Sequence, residues 1–232
     1  MREDVNVARV LLTYGEILLR QGIWDKAIEH YSEALFLAKK NCNKKIEAKS
    51  LMNLGFVFRG HRFLYLAIDH YREAERIYKE INNNAGLVEA LYERANTNLS
   101  LKMTDQTLAL ISEIEKLILP DSPMSYFLLR LHVCIHNQKK EFQDALNKAE
   151  QLNKFFKAVN DKKGEAESME MLGSAYYNLS QLDFALDCGN KGHQLAREIG
   201  DKLIEQQCMS LITDCENALK YNIDLDQIRK VV

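Results

Sequence analysis

A spaced pattern that occurs three times constrains the fold of this chain more than any other feature. Each copy is a glycine followed, twelve residues later, by an alanine. The three pairs are Gly15 and Ala27, Gly55 and Ala67, and Gly173 and Ala185. The first two glycines lie 40 residues apart, and the third follows after a further 118 residues, about three more periods. A repeat of this length predicts a stacked array of helical units.

Composition predicts that these units are entirely α-helical. The chain of 232 residues has only two prolines, Pro120 and Pro123, and it is rich in strong helix formers. Apolar residues at helical spacing predict one helix from about Val5 to Arg20 and a second from about Trp24 to Lys40. Each period therefore consists of two amphipathic helices joined by a short turn.

The predicted organisation is a single array followed by a short tail. Its helix pairs cover approximately residues 5–40, 44–80, 84–119, 122–159 and 162–199, a capping helix covers 202–220, and no structure is predicted for the tail, 221–232. Polar residues that cap helix N-termini recur before the first helix of a pair. The predicted caps are Asn43, Asn83, Asp161 and Asp201.

The small residues of the repeat are predicted to bring the two helices of a pair close together. A glycine or alanine at the crossing allows an interaxial distance of roughly 8–10 Å. We expect Ala27 and Ala67 to meet Gly15 and Gly55 there. Two tyrosines, Tyr31 and Tyr71, are expected to fill the gap between one pair and the next.

Gly189 and Gly192 depart from this pattern, because they stand where earlier pairs have a tyrosine and an alanine. Two interpretations stay open. The repeat has decayed towards the C-terminus, or the last helix or a partner packs closely against this site.

Charge and motif content argue against several classes of protein. The net charge of −2 favours neither nucleic acid nor an anionic membrane. The N-terminus is acidic where a signal peptide would be basic, and the five cysteines include no CxxC pair, so we predict a cytoplasmic protein.

The chain lacks phosphate-loop and nucleophile-elbow motifs, so neither catalysis nor a cofactor is expected. His132 and His136 lie four residues apart, but they match packing positions of the second pair, and no metal site is predicted.

The repeat resembles the tetratricopeptide repeat family. The second pair carries the resemblance most fully, with Leu54-Gly55, Phe58, Ala67, Tyr71 and Ala74. The period of 40 exceeds the usual length of about 34 and is similar to the longer-repeat branch found in cell-polarity scaffolds and in bacterial peptide-sensing regulators. The resemblance implies a right-handed superhelix, an α-solenoid, in which the first helix of each pair lines a concave groove.

The resemblance also implies which residues face this groove. The candidates are Arg9, Lys49, Met52, Phe56, Arg59, Tyr92, Asn96, Phe127, Arg130, Asn137 and Tyr177; further positions on the same helix faces include Leu12, Glu16, Leu19 and Glu89. A clamp for a peptide carboxylate is not expected, because Leu12, Glu16 and Glu89 replace its basic and amide residues. Arg59 and Arg130 remain candidates to receive an acidic ligand side chain.

These observations predict a non-enzymatic module that binds a peptide or a partner helix in its groove. It would serve as a scaffold or adaptor. The alternative is a peptide-sensing regulatory module that controls a separate effector. No nucleic-acid partner and no membrane insertion are expected, and self-association is left open.

Overall fold

The computed structural model describes residues 2–119 and 122–221. All regular secondary structure in these ranges is α-helical, which confirms the predicted class. The eleven described helices are α1 (Arg2–Arg20), α2 (Trp24–Lys40), α3 (Lys44–Gly60), α4 (Leu64–Glu80), α5 (Asn84–Ser100), α6 (Thr104–Glu115), α7 (Pro123–Gln138), α8 (Phe142–Ala158), α9 (Lys162–Asn178), α10 (Leu182–Ile199) and α11 (Lys202–Lys220). None of them combines the length and the apolar character that a bilayer crossing requires.

The helices fall into two compact units, Met1–Pro120 and Asp121–Val232. In the first unit each helix packs on the next, and α3 also contacts α1 and α5, so these three helices form one layer. In the second unit consecutive helices also pack together, and α11 contacts both α9 and α10. The prediction of one continuous array over 1–220 stays a prediction, and the predicted tail, 221–232, lies outside the described residues except for Tyr221.

The turns show the repeat in the backbone itself. Within each unit, a residue with a left-handed backbone follows every helix but the last at steps of 20 residues. These residues are Gly22, Cys42, Arg62, Asn82 and Lys102 in the first unit and Lys140, Asn160, Ser180 and Gly200 in the second. The next backbone N–H then donates to a carbonyl five residues earlier, as from Asn43 to Ala38 and from Phe63 to Phe58, both at 2.9 Å. This arrangement ends a helix in a tight turn and fixes the period at 40 residues for each pair.

The predicted N-caps are confirmed, and they distinguish the two helices of a pair. The side chains of Asn43 and Asn83 accept hydrogen bonds from the backbone N–H of Ile46 and Gly86, each at 3.1 Å. Asp161 and Asp201 each accept two such bonds. All five described second helices, α2, α4, α6, α8 and α10, begin without a side-chain cap.

The repeated glycines make room for the tyrosine rings of their own pair. A Cβ on Gly15 would lie 2.5 Å from Cε1 of Tyr31, and one on Gly55 would lie 2.6 Å from Cε1 of Tyr71. Both tyrosines are completely buried. The predicted close approach at the glycines is therefore confirmed. The nearest neighbour of each glycine, however, is the ring of a tyrosine that lies four residues after the expected alanine.

A second set of close contacts joins successive pairs through residues eight positions apart. In each combination one position holds a large residue and the other holds a small one. The large residue comes second in the first and last combinations and first in the two between them. The four combinations are Ala38 with Ile46, Tyr78 with Gly86, Phe156 with Gly164, and Ala196 with Ile204. A Cβ on Gly86 would lie 2.5 Å from Cε1 of Tyr78, and Gly164 approaches Phe156 in the same way. The two positions therefore share one volume, which either residue can fill.

Gly189 and Gly192 pack against the last helix, as one of the two interpretations predicted. A Cβ on Gly189 would lie 2.9 Å from Cγ1 of Ile212, and one on Gly192 would lie 2.8 Å from Sγ of Cys208. Ile212 and Cys208 both belong to α11 and are buried. Close packing of α11 thus accounts for both glycines.

We expect each alanine of the double variant Gly189→Ala, Gly192→Ala to cost about 1–3 kcal/mol of unfolding free energy through overpacking. The loss should appear although two alanines raise helix propensity by up to about 2 kcal/mol. Urea unfolding followed by circular dichroism measures it, with Asn190→Ala on the exposed side of the same helix as the control. A raised urea midpoint for the double variant would support repeat decay instead.

Candidate functional site

The layer formed by α1, α3 and α5 contains a pocket of about 200 Å³. Seven of its eight lining residues come from these three helices, and the eighth, Tyr31, comes from α2. The lining residues are Glu16, Leu19, Tyr31, Met52, Asn53, Phe56, Glu89 and Glu93. We call this site the first-unit pocket.

Helical spacing explains why these side chains meet. Residues three or four positions apart lie on one face of a helix. Glu16 and Leu19 are related in this way on α1, as are Met52 and Phe56 on α3. Since α3 contacts both α1 and α5, one face of each helix contributes to the same pocket.

All charged residues that line the pocket are acidic. Glu89 forms an ion pair with Lys49 at 3.5 Å, and Glu93 forms one with Arg59 at 3.1 Å. Glu16 makes no ion pair with any residue in the described part of the chain, and it is partly buried. The pocket therefore carries an excess of negative charge that is concentrated at Glu16.

Two lining residues hold buried polar atoms that lack hydrogen-bond partners among the described residues. These atoms are Oη of Tyr31 and Nδ2 of Asn53. Burial, and to a lesser extent the charge of Glu16, raises the pKa of Tyr31 to about 12. The phenol thus keeps its proton at neutral pH and remains a hydrogen-bond donor. Buried polar atoms without partners are uncommon, and they mark positions where a ligand or water can bind.

The apolar part of the pocket has one exposed aromatic ring. Phe56 is 41% exposed, whereas Met52 beside it is buried. The guanidinium of Arg59 lies 5.2 Å from the centroid of the Phe56 ring. This distance is within the range of a cation–π interaction, so the ring already contacts a cationic group.

The structure places the predicted groove residues of the first unit in three groups. Met52 and Phe56 line the pocket, and Lys49 and Arg59 contact it through their ion pairs. The remaining three do not line it: Arg9 is exposed on α1, whereas Tyr92 and Asn96 are partly buried on α5.

The predicted groove residues of the second unit lie on α7 and α9. Arg130 forms an ion pair with Glu167 at 3.1 Å, and Oδ1 of Asn137 accepts a hydrogen bond from Asn178 at 3.4 Å. Phe127 is exposed, and Tyr177 is partly buried. Arg59 and Arg130 both pair with glutamates in the fold, so an acidic ligand side chain would have to compete with those partners, and their assignment to such a ligand stays a prediction.

Sequence reasoning left three lining residues out of the candidate groove. Glu93 lies four positions after Glu89 on the same helix, a spacing that could have indicated it. Tyr31 was assigned only to packing, and Asn53 adjoins Met52 without matching the periodic face. No periodic signal marks an atom that is buried without a hydrogen-bond partner, so only the structure identifies the last two.

One group of described residues has the ligand types that a metal ion requires. It comprises His136, Glu141 and Asp144, whose ligand atoms all lie within 4.8 Å of one another. The ring Nδ1 of His136 already forms a hydrogen bond with Glu141 at 2.7 Å. The side chains of Glu141 and Asp144 are exposed, and the hydrogen bond accounts for the proximity of the first two residues.

Comparison with known proteins gives a consistent picture of the fold. The family profile described as "Tetratricopeptide repeat" matches residues 6–80. A curated relative, the 43 kDa receptor-associated protein of the synapse from Tetronarce californica, is 22% identical over 209 residues. That alignment covers 84% of this chain and 49% of the relative, so the chain spans about half of the relative's length.

Solved structures with similar folds include a protein with TPR-like repeats and a gene regulator bound to a peptide. A putative kinesin light chain of Podosopora anserina with nearly identical TPR-like repeats has a TM-score of 0.66 at 12% identity, covering 86% of this chain and 99% of its own. The Rap conjugation gene regulator of plasmid pLS20, in complex with the Phr* peptide, has a TM-score of 0.67 at 18% identity. The match covers 95% of this chain and 65% of the regulator's chain. At these identities the likeness concerns the fold.

Proposed function

Because this chain belongs to the tetratricopeptide repeat family, we propose that it is a non-catalytic module for protein–protein interaction. It binds a peptide or a helix of a partner protein in the groove that contains the first-unit pocket. Its role is that of a cytoplasmic scaffold or adaptor, and its net charge of −2 does not favour nucleic acid as a partner.

The observation that carries this proposal is the combination of groups in the pocket. Phe56 offers an exposed aromatic ring, the type of residue that most often dominates binding energy at interfaces. Tyr31 and Asn53 hold polar atoms that need partners, and a peptide supplies both carbonyl acceptors and polar side chains. The groups come from successive helix pairs, as an extended ligand lying across the layer requires.

We expect a selection from a random-peptide phage library to enrich sequences whose binding depends on Phe56. The variant Phe56→Ala removes the exposed ring and should weaken binding of the enriched peptides by on the order of tenfold or more. Fluorescence anisotropy with the synthetic peptides measures the dissociation constants. Phe36→Ala is the matched control, because Phe36 is 66% exposed on α2 and does not line the pocket.

Two results would contradict the proposal. One is that no sequence is enriched on the wild-type protein. The other is that Phe56→Ala binds the enriched peptides as tightly as Phe36→Ala does.

The alternative function is a peptide-sensing regulatory module that controls a separate effector. Its support is the fold similarity to the Rap conjugation gene regulator in complex with the Phr* peptide. Small-angle scattering with and without an enriched peptide separates the two functions. A sensor changes its radius of gyration on binding, whereas a scaffold keeps it.

A further inference from the structure

Acidic and basic residues occupy different positions around the first-unit pocket. The lining residues include three glutamates and no basic residue. The two cations that neutralise Glu89 and Glu93, Lys49 and Arg59, stand outside the lining. Glu16, in contrast, has no ion-pair partner in the described ranges. The charge of this carboxylate also contributes to the raised pKa of Tyr31.

Building on the proposed function, we propose that the pocket accepts the cationic side chain of a lysine or arginine in the partner peptide. The cation pairs with the carboxylate of Glu16, which has no ion-pair partner within 2–119 and 122–221. The aliphatic stem of the side chain lies along Leu19, Met52 and Phe56, as long cationic side chains commonly cover apolar surface. The peptide backbone supplies an acceptor for Nδ2 of Asn53.

Tyr31 provides an independent indication that a polar group belongs in this position. Its side chain has no exposed surface, its Oη has no hydrogen-bond partner among the residues that the structure describes, and it lines the same pocket as Glu16. A hydroxyl group accepts hydrogen bonds at its oxygen as well as donating one through its O–H, so an ammonium or guanidinium between the two residues would satisfy both. An apolar side chain there would leave the hydroxyl and the carboxylate unsatisfied.

The size of the pocket fits one long side chain. Sites for whole small molecules have volumes of about 300–1,000 Å³, whereas this pocket has about 200 Å³. An acidic side chain is disfavoured, because it would meet the three glutamates without a basic lining residue to compensate. The pocket therefore selects by charge as well as by shape.

The test uses the most enriched peptide of the phage selection and a synthetic counterpart in which its lysine or arginine is replaced by glutamine. We expect the enriched sequences to share a basic residue. The glutamine peptide should bind the wild-type protein more weakly by on the order of ten- to a hundredfold. Enriched peptides that depend on Phe56 but contain no basic residue would overturn this inference and leave the proposed function standing.

Glu16→Gln locates the partner of the cation. It should weaken binding of the basic peptide to a similar extent and leave binding of the glutamine peptide unchanged within about twofold. Glu29→Gln, at an exposed glutamate on α2 outside the pocket, is the control and should behave as wild type with both peptides. Equal weakening of both peptides by Glu16→Gln would overturn the assignment of Glu16. Failure to enrich any peptide that depends on Phe56 would overturn both the inference and the proposed function.

Discussion

Gly86→Ile is expected to lower the unfolding free energy by about 3 kcal/mol in the wild-type protein, but by only about 0–1 kcal/mol in a protein that already carries Tyr78→Ala. Alone, the isoleucine must enter the space that the buried ring of Tyr78 occupies, so the core is overpacked. Tyr78→Ala alone leaves a cavity and should cost about 3–5 kcal/mol. The double variant recreates the alanine and isoleucine that stand at Ala38 and Ile46.

Urea unfolding of the four proteins in this cycle measures the coupling. We expect a favourable coupling energy of about 2–3 kcal/mol, at the upper end of the range for residues in contact. Tyr65→Ala combined with Gly86→Ile is the control, because Tyr65 is 65% exposed and cannot release the overpacking. Additive losses at Tyr78 and Gly86 would show that the two positions do not share one volume.

Arg94→Met is expected to lower the unfolding free energy by about 3–5 kcal/mol at neutral pH. Nε of Arg94 lies 2.7 Å from Oε1 of Glu75, and their side chains are only 17% and 8% exposed. Without the arginine, a buried carboxylate remains unpaired. The double variant Glu75→Leu, Arg94→Met should recover nearly all of the loss, because apolar pairs commonly replace buried ion pairs at little cost.

The pH dependence identifies the buried carboxylate as the cause. Burial raises the pKa of Glu75 above its ordinary value of 4.5, and Arg94 opposes this rise. A group with a raised folded-state pKa stabilises the fold at low pH and loses that contribution as pH rises through the folded pKa. Removing Arg94 raises this pKa further, so the deficit of Arg94→Met should be smaller at about pH 5 than at about pH 8. An equal deficit at both pH values would argue for lost packing of the arginine stem instead.

The sequence determines the helices of this protein through residues that recur. The step of 40 residues, the caps at Asn43 and Asp201, and the breaks between helices were all predictable, because backbone hydrogen bonding imposes the same local requirement in every pair. The contacts of Gly15 and Gly189 were harder to assign. A glycine shows that something approaches closely, but the periodic pattern does not show whether the neighbour is an alanine, a tyrosine ring or another helix.

The candidate site was predictable only in outline, for a physical reason. Repeat positions are selected by packing, so they predict which helix faces come together, as Met52 and Phe56 illustrate in the first-unit pocket. The ligand preference depends instead on which charges are already paired. Arg59 is cationic in the sequence but is neutralised by Glu93 in the fold, whereas Glu16 has no such partner in the described ranges. On the proposal made above, that difference reverses the expected charge of the ligand.

The claim that the first-unit pocket is the ligand-binding surface can be tested directly by photo-crosslinking. A photoreactive phenylalanine analogue is placed at Phe56 or at Phe36, and the protein is irradiated with an enriched peptide and analysed by mass spectrometry. Phe36 is 66% exposed and Phe56 is 41% exposed, so a ligand that collides at random would crosslink position 36 at least as often as position 56. We predict a crosslink to the peptide from position 56 and none from position 36. Crosslinking from position 36 alone, or equally from both positions, would contradict the account.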